Sequence, residues 1–158
     1  MFNPFNRSAL FAQSVEVQPA SMSDRATLFN LTEHSHRAHF NLDWWTFDNW
    51  LYPDRPSDAI WLARCQGQPV GLLLAPYDAA PSVWARALAV ANGWPAEPIL
   101  TALLAGAQPA LRSAGAEILV TLAHPDWLTS VLPRLNFSTV ESVVTYRKSD
   151  RALPAPAR

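Results

Sequence analysis

Along this chain the spacing of apolar residues changes period several times, and each change marks an element. Val15-Glu16-Val17-Gln18-Pro19 alternates and stops at a proline, which predicts a first strand. Leu28 and Leu31 then share a helical face behind Ser23 or Asp24 as cap, which predicts a helix to about His34. Residues 33–40 read as a short join. A second helix is expected over residues 42–51, ending before Pro53, with Trp44, Trp45, Phe47 and Trp50 on more than one side. Residues 59–65 and 70–75 are apolar runs separated by Gln66-Gly67-Gln68-Pro69, the pattern of a hairpin. So short a turn permits only antiparallel pairing.

The pattern then opens its most regular stretch, residues 82–116. It predicts a strand over 83–90, a turn over 91–96 and a helix over about 97–114 whose Ile99, Leu100, Leu103, Leu104, Ala107 and Leu111 face a sheet. Pro109 lies inside this helix and is expected to bend it. Another strand, 117–122, follows directly. A β-turn-α-β unit sets a helix N-terminus beside the C-terminal end of a strand, a common place for an anionic ligand. His124-Pro125-Asp126-Trp127 leads into a short helix over 128–135, and strands near 137–140 and 142–146 close the sheet. The fold class is therefore α+β. One domain spans 15–148, with a lead-in segment at 1–14 and a proline-bearing flexible tail at 149–158.

Composition narrows the function classes. With 158 residues, 49% of them hydrophobic and 16% charged, the chain suffices for one substantial core. The net charge of −1 and the absence of a basic cluster beyond Arg147-Lys148 argue against nucleic-acid binding. The single cysteine, Cys65, rules out an internal disulfide framework and reads as ordinary core. No apolar run approaches the roughly 20 residues that span a bilayer, so no membrane partner is expected. Residues 1–14 make a poor secretion signal, which leaves a cytoplasmic location as the expectation. His34, His36 and His39 do not align on any one regular element, and no metal is expected there.

Several local motifs carry a resemblance. Residues 15–24 resemble an opening strand, Arg-Pro-Ala and capped helix, with Gln18 where arginine is usual. Gln66-Gly67-Gln68-Pro69-Val70-Gly71 is similar to a hairpin turn ending in a strand glycine, and Arg134-Leu135-Asn136-Phe137 to a Lys-x-Gly-Phe closing turn. With the order of elements over residues 15–148, these resemble the GNAT-type N-acetyltransferase superfamily. The resemblance implies a twisted, mostly antiparallel sheet of about six or seven strands flanked by about four helices. It also implies acetyl-CoA as cosubstrate and direct attack by an amine on its thioester. The acceptor would be a small molecule or a peptide. The alternative is a GNAT-fold binding or regulatory module that has lost coenzyme A binding.

On the same resemblance, cofactor contacts fall to Leu88, Val90, Asn92, Gly93 and Trp94, with a polarising backbone amide near 88–90. The family's pyrophosphate loop, Arg/Gln-x-x-Gly-x-Gly/Ala, is altered. Pro95 falls on the arginine, Pro98 on the first glycine and Leu100 on the second. Prolines offer no N–H to a phosphate, and Glu97 brings negative charge to the helix start. Ordinary helix capping and an altered pyrophosphate site both remain open readings. No catalytic residue is assigned. Leu132 stands where the family has a tyrosine acid, and Tyr77, Asp78, His124 and Asp126 are the polar groups on nearby loops. Asp126 is expected to cap the following helix. The aromatic segment 42–51 suits one wall of an acceptor cleft, a partner peptide or the interface of a homodimer.

Overall fold

A computed structural model describes residues 15–41, 59–76, 81–124 and 126–142. In chain order they form β1 (Val15–Pro19), α1 (Arg25–His34), β2 (Arg37–Phe40), β3 (Ile60–Cys65), β4 (Gln68–Leu74), β5 (Ser82–Trp84), β6 (Ala87–Val90), α2 (Ala96–Ser113), β7 (Ile118–Val120) and α3 (Trp127–Val131). Short 3-10 turns cover Met22–Asp24 and Leu132–Leu135. The lead-in 1–14, the aromatic segment 42–51, all but the first residue of the strand expected near 142–146, and the tail 149–158 lie outside the described residues.

The β3–β4 hairpin frames the sheet. Its turn places Gln66 and Gly67 at φ 52° and 78°, a left-handed pair that Gly67 adopts without a Cβ penalty. The five strands of the main sheet run in the order β1-β3-β4-β6-β2, every neighbouring pair antiparallel. The expected succession of three antiparallel strands is present as β3, β4 and β6. β5 and β7 form a separate parallel pair. The fold is mixed α+β, as the periodicity implied.

Strand alternation sends side chains into two cores. Leu73, Leu88 and Val90 meet Ile99, Leu100, Leu103 and Ala107 of α2, while Leu72, Leu74, Ala87 and Ala89 meet Leu28 and Leu31 of α1. The α2 residues expected to face the sheet do so, with Leu104 and Leu111 half-buried at the margins. The helix rests directly on Gly71, where an added Cβ would collide with Ile99 Cγ2. Cys65 is buried in the same core.

Asp24 does not cap α1 through its side chain. It turns back instead, its Oδ2 accepting from the Ser21 N–H at 2.9 Å and the Ser21 hydroxyl at 2.8 Å, while Oδ1 pairs with Arg64 at 2.6 Å. Burial alone would raise this carboxyl's pKa. The Ser21 bonds and the Arg64 charge outweigh it and hold the pKa below its ordinary 3.8.

Three expectations need correction. The strand foreseen over 83–90 is two strands, because its hydrogen bonds change partner at the break: Ala85 N–H donates to Val120 O at 2.8 Å, and Arg86 N–H to Leu74 O at 2.7 Å. The join over 33–40 contains β2. Finally, 137–140 forms no strand. Asn136 takes φ 63°, the left-handed turn its identity allows, and Val140 beyond it is 87% exposed, with no buried face to pair.

Candidate functional site

The change of partner at Ala85-Arg86 makes a fork. β5 runs parallel with β7 through Trp84↔Val120, after which the chain continuing β7 separates from β6. Arg86 extends its guanidinium over the Trp84 indole, 5.3 Å from the ring centre. In a parallel unit of this kind the opening would expose one edge of β6. Here β2 lies along that edge, antiparallel, with Arg37↔Val90, Ala38↔Ala89, His39↔Leu88 and Phe40↔Ala87 in register.

The bonding pattern of this ladder follows from the opposite edge of β6. Asn41 N–H donates to Arg86 O at 2.7 Å, while the Arg86 N–H goes to Leu74 O, so the ladder ends there in a single bond. Counted back from the Ala91 N–H to Val70 O bond on the β4 edge, alternation makes His39/Leu88 and Arg37/Val90 the bonded pairs and aims the Leu88 and Val90 N–H groups at β2. On its other edge β6 bonds β4, as the Ala91 N–H to Val70 O bond of 2.9 Å shows for the same register. The amides singled out from the sequence as polarising donors therefore face the fork, and the chain's own backbone meets them there.

Side chains fix both ends of β2. At the fork, Asn41 Nδ2 donates to Thr121 Oγ1 at 3.2 Å, and that hydroxyl donates to Ala85 O at 3.1 Å. At the other end, Asn92 Oδ1 accepts from the His36 N–H at 2.9 Å and its Nδ2 donates to His34 O at 2.8 Å, closing the C-terminus of α1. Arg37 donates to Trp94 O at 2.8 Å. Gly93 sits in the intervening turn at φ 81° with open space around it. Four of the five predicted cofactor contacts, Leu88, Val90, Asn92 and Trp94, thus converge on one place, and what they hold is residues 34–39.

His39 is the buried polar residue of this junction, 2% exposed. Its Nε2 lies 2.6 Å from Leu122 O, and since a carbonyl only accepts, that nitrogen carries a proton. Nδ1 faces Asp126 Oδ2 at 3.3 Å. Asp126 also caps α3, as expected, its Oδ1 accepting from the Leu128 N–H at 2.8 Å. The exposed His124 ring stands 5.8 Å from His39. The three histidines of 34–39 are dispersed, and no cluster of metal-ligating side chains exists among the described residues. Ser130 donates within its own helix to Trp127 O at 2.7 Å. Tyr77 and Asp78 lie outside the described residues. Sequence reasoning missed β2, although Arg37-Ala38-His39-Phe40 alternates polar and apolar residues and so carried a strand signal.

The start of α2 is poor in donors. Pro95 occupies the N-cap position with no side-chain cap bond, and Pro98 removes an amide from the first turn. Glu97 Oε2 pairs at 3.3 Å with Arg134, a largely exposed contact. A shallow cavity of about 230 Å³ opens beside Asn92, bordered by His34, Ser35 and Pro69. It is smaller than the roughly 300–1,000 Å³ of ordinary ligand pockets, so the fork is the better candidate.

No protein-family profile and no curated protein matches the sequence. Solved structures do. An aminoglycoside acetyltransferase from an uncultured soil metagenomic sample, in complex with sisomicin, is 15% identical, with 87% of this chain and 97% of that one covered at a TM-score of 0.60. The aminoglycoside N-acetyltransferase AAC(6')-Iy, in complex with CoA, is 16% identical over 85% of this chain and 99% of that one, TM-score 0.63. Diaminobutyrate acetyltransferase EctA from Paenibacillus lautus, in complex with L-2,4-diaminobutyric acid and coenzyme A, is 20% identical over 77% and 73%, TM-score 0.60. Identities this low speak to architecture, and the architecture is clear: this chain has the GNAT-type N-acetyltransferase fold.

Proposed function

We propose that the protein is an acyl-CoA-dependent N-acyltransferase that moves an acetyl group from acetyl-CoA to an amine on a small molecule or peptide. The observation that carries this reading is the fork after Trp84↔Val120, with the Leu88 and Val90 amides aimed into it. Structural neighbours solved with CoA support it. The amine attacks the thioester carbonyl, a C–N bond forms as the C–S bond breaks, and the proton shed by the amine balances the departing thiolate. An N–H of the 88–90 stretch polarises the carbonyl without any side chain. Leu88 and Val90 lay the extended arm of the cosubstrate along β6 by main-chain bonds. Asn92, Gly93 and Trp94 then lead it toward α2. Their fit is uneven: β6 offers suitable donors, whereas Pro95, Pro98 and Glu97 suit a diphosphate poorly.

A second reading has its own observation. The ladder between β2 and β6 uses the same donors, which favours a binding or regulatory module that performs no acyl transfer. Calorimetric titration with acetyl-CoA, followed by a free-thiol release assay with a panel of primary amines, separates the two. Saturable binding with amine-dependent thiol release supports the enzyme. Absence of binding at millimolar acetyl-CoA, in the intact protein and in the strand-released variant described below, supports the module.

A further inference from the structure

We infer that β2 is a displaceable strap, a segment of the chain that covers the acyl-CoA edge of β6 in the resting protein and must leave before the cosubstrate binds. The inference rests on the acyltransferase reading for the identity of the ligand, but displaceability itself follows from the structure. β2 has only four residues, its bonded pairs with β6 are those at Arg37 and His39, and one further bond runs from the Asn41 N–H to Arg86 O. It adds little apolar burial: Ala38 and Phe40 are only half-buried, and Arg37 is exposed. β3 and β4, by contrast, contribute Ile60, Trp61, Leu62, Leu72, Leu73 and Leu74, each at most 2% exposed. Elements with few buried apolar contacts open first.

The centre of the strap carries the most telling choice of side chain. His39 fills the fork with an imidazole where an aliphatic residue would make a permanent plug, and its bonds go to Leu122 O and Asp126 on the opposite arm. Those bonds exchange for water when the strap lifts, at small net cost. The Asn92 and Arg37 contacts at the strap's N-terminal end are exposed and equally replaceable. A ligand bearing amides along an extended arm can then take up the Leu88 and Val90 donors. Closure thereby sets the apparent affinity. If the open form is about 1% of the population, raising it to about 10% tightens the apparent Kd about tenfold.

Two variants and one ligand-free measurement test this. His39→Ala releases the strap. Ala38→Cys with Ala89→Cys locks it, because these residues face each other directly in a non-bonded pair, the closest spacing in an antiparallel ladder and one a disulfide can bridge. Amide exchange of the unmodified protein, without ligand, is expected to show Leu88 and Val90 opening faster than Leu72 and Leu73. Acetyl-CoA is expected to bind His39→Ala about tenfold more tightly than wild type, and the oxidised double-cysteine protein not at all, with binding restored by reduction. The inference is overturned if Leu88 and Val90 exchange only as slowly as Leu72 and Leu73, or if the oxidised form binds as well as the reduced one. Fast exchange with no acetyl-CoA binding in any form would support the opening of the strap and overturn the acyltransferase reading.

Discussion

The start of α2 offers a quantitative test of cosubstrate binding. Pro98 lies in the first helical turn, where three consecutive N–H groups would ordinarily point out of the helix, and its ring removes one of them. Alanine at 98 restores that donor, keeps a Cβ where one already exists and suits a helix better than glycine would. A backbone bond to a charged group is worth roughly 1.5–3 kcal/mol. Glu97→Gln removes a carboxylate that opposes an incoming phosphate, worth about 0.3–1 kcal/mol at an exposed helix terminus. The lower end applies, since Arg134 already faces Glu97 at 3.3 Å across a largely exposed gap. Together the two changes should tighten coenzyme A by roughly 2–3 kcal/mol, or about thirty- to a hundred-and-fifty-fold. The assay is calorimetry with two ligands, coenzyme A and pantetheine, which lacks the phosphates. Coenzyme A should gain the full factor and pantetheine almost nothing. Equal gains for both ligands would mean that the variants act on the fork, and no gain for coenzyme A would mean that its diphosphate lies elsewhere.

Other consequences concern the frame that holds the site. Asp24 has a lowered folded-state pKa, so its contribution to stability is complete above about 3.8, its ordinary value, and is lost as pH falls through the lower folded value. In urea titrations between pH 5 and 2, Asp24→Asn should therefore flatten the acid limb of the stability curve, and an unchanged limb would refute the assignment. Gly71→Ala forces a Cβ against Ile99 Cγ2 and within 3.1 Å of Leu103 Cδ1, and should cost about 1–3 kcal/mol in stability, read from the denaturant midpoint. A neutral result would mean that α2 can back away from β4. Leu103→Ala, at a fully buried position, should cost about 2–5 kcal/mol by the same measurement.

The parts of this fold visible in the sequence are those whose local pattern and tertiary role coincide. α2 shows its face because Ile99, Leu100, Leu103 and Ala107 pack on one sheet, and the β3–β4 hairpin shows its turn because Gly67 accepts positive φ. What stayed hidden depends on partners distant in sequence. Val83 and Val90 look like ends of one strand, and only Val120 and Leu74, competing for successive amides, reveal the break between them. β2 was hidden for the same reason. The alternation of Arg37-Ala38-His39-Phe40 is too short to demand a partner, and the partner it takes, residues 87–90, lies far along the chain. The positions read from the sequence as cofactor contacts lie along β6 and the turn that follows. That their donors would be met by the chain itself was not legible, because backbone groups carry no sequence signature.

On the proposed acyltransferase reading the strap and the start of α2 bear on opposite ends of the cosubstrate, so their effects are separable. The strap covers main-chain donors at Leu88 and Val90, which on the proposed acyltransferase reading a pantetheine arm would use whether or not phosphates follow. Releasing it through His39→Ala should therefore improve pantetheine and coenzyme A by the same factor. Pro98→Ala with Glu97→Gln should improve coenzyme A alone. The two sets of residues share no hydrogen-bond partner among the described contacts: His39 answers to Leu122 and Asp126, Glu97 to Arg134. Independent sites add in free energy, to within about 0.5 kcal/mol. The triple variant should accordingly bind coenzyme A with the product of the two gains, and pantetheine with the His39→Ala gain only. If the gains for coenzyme A fall well short of their product, the two regions are coupled. The contact able to couple them is Arg37 on the Trp94 carbonyl, which ties the strap to the turn leading into α2. Arg37→Ala would then restore additivity, and failure to do so would show that strap and helix act on the ligand through a common route other than this bond.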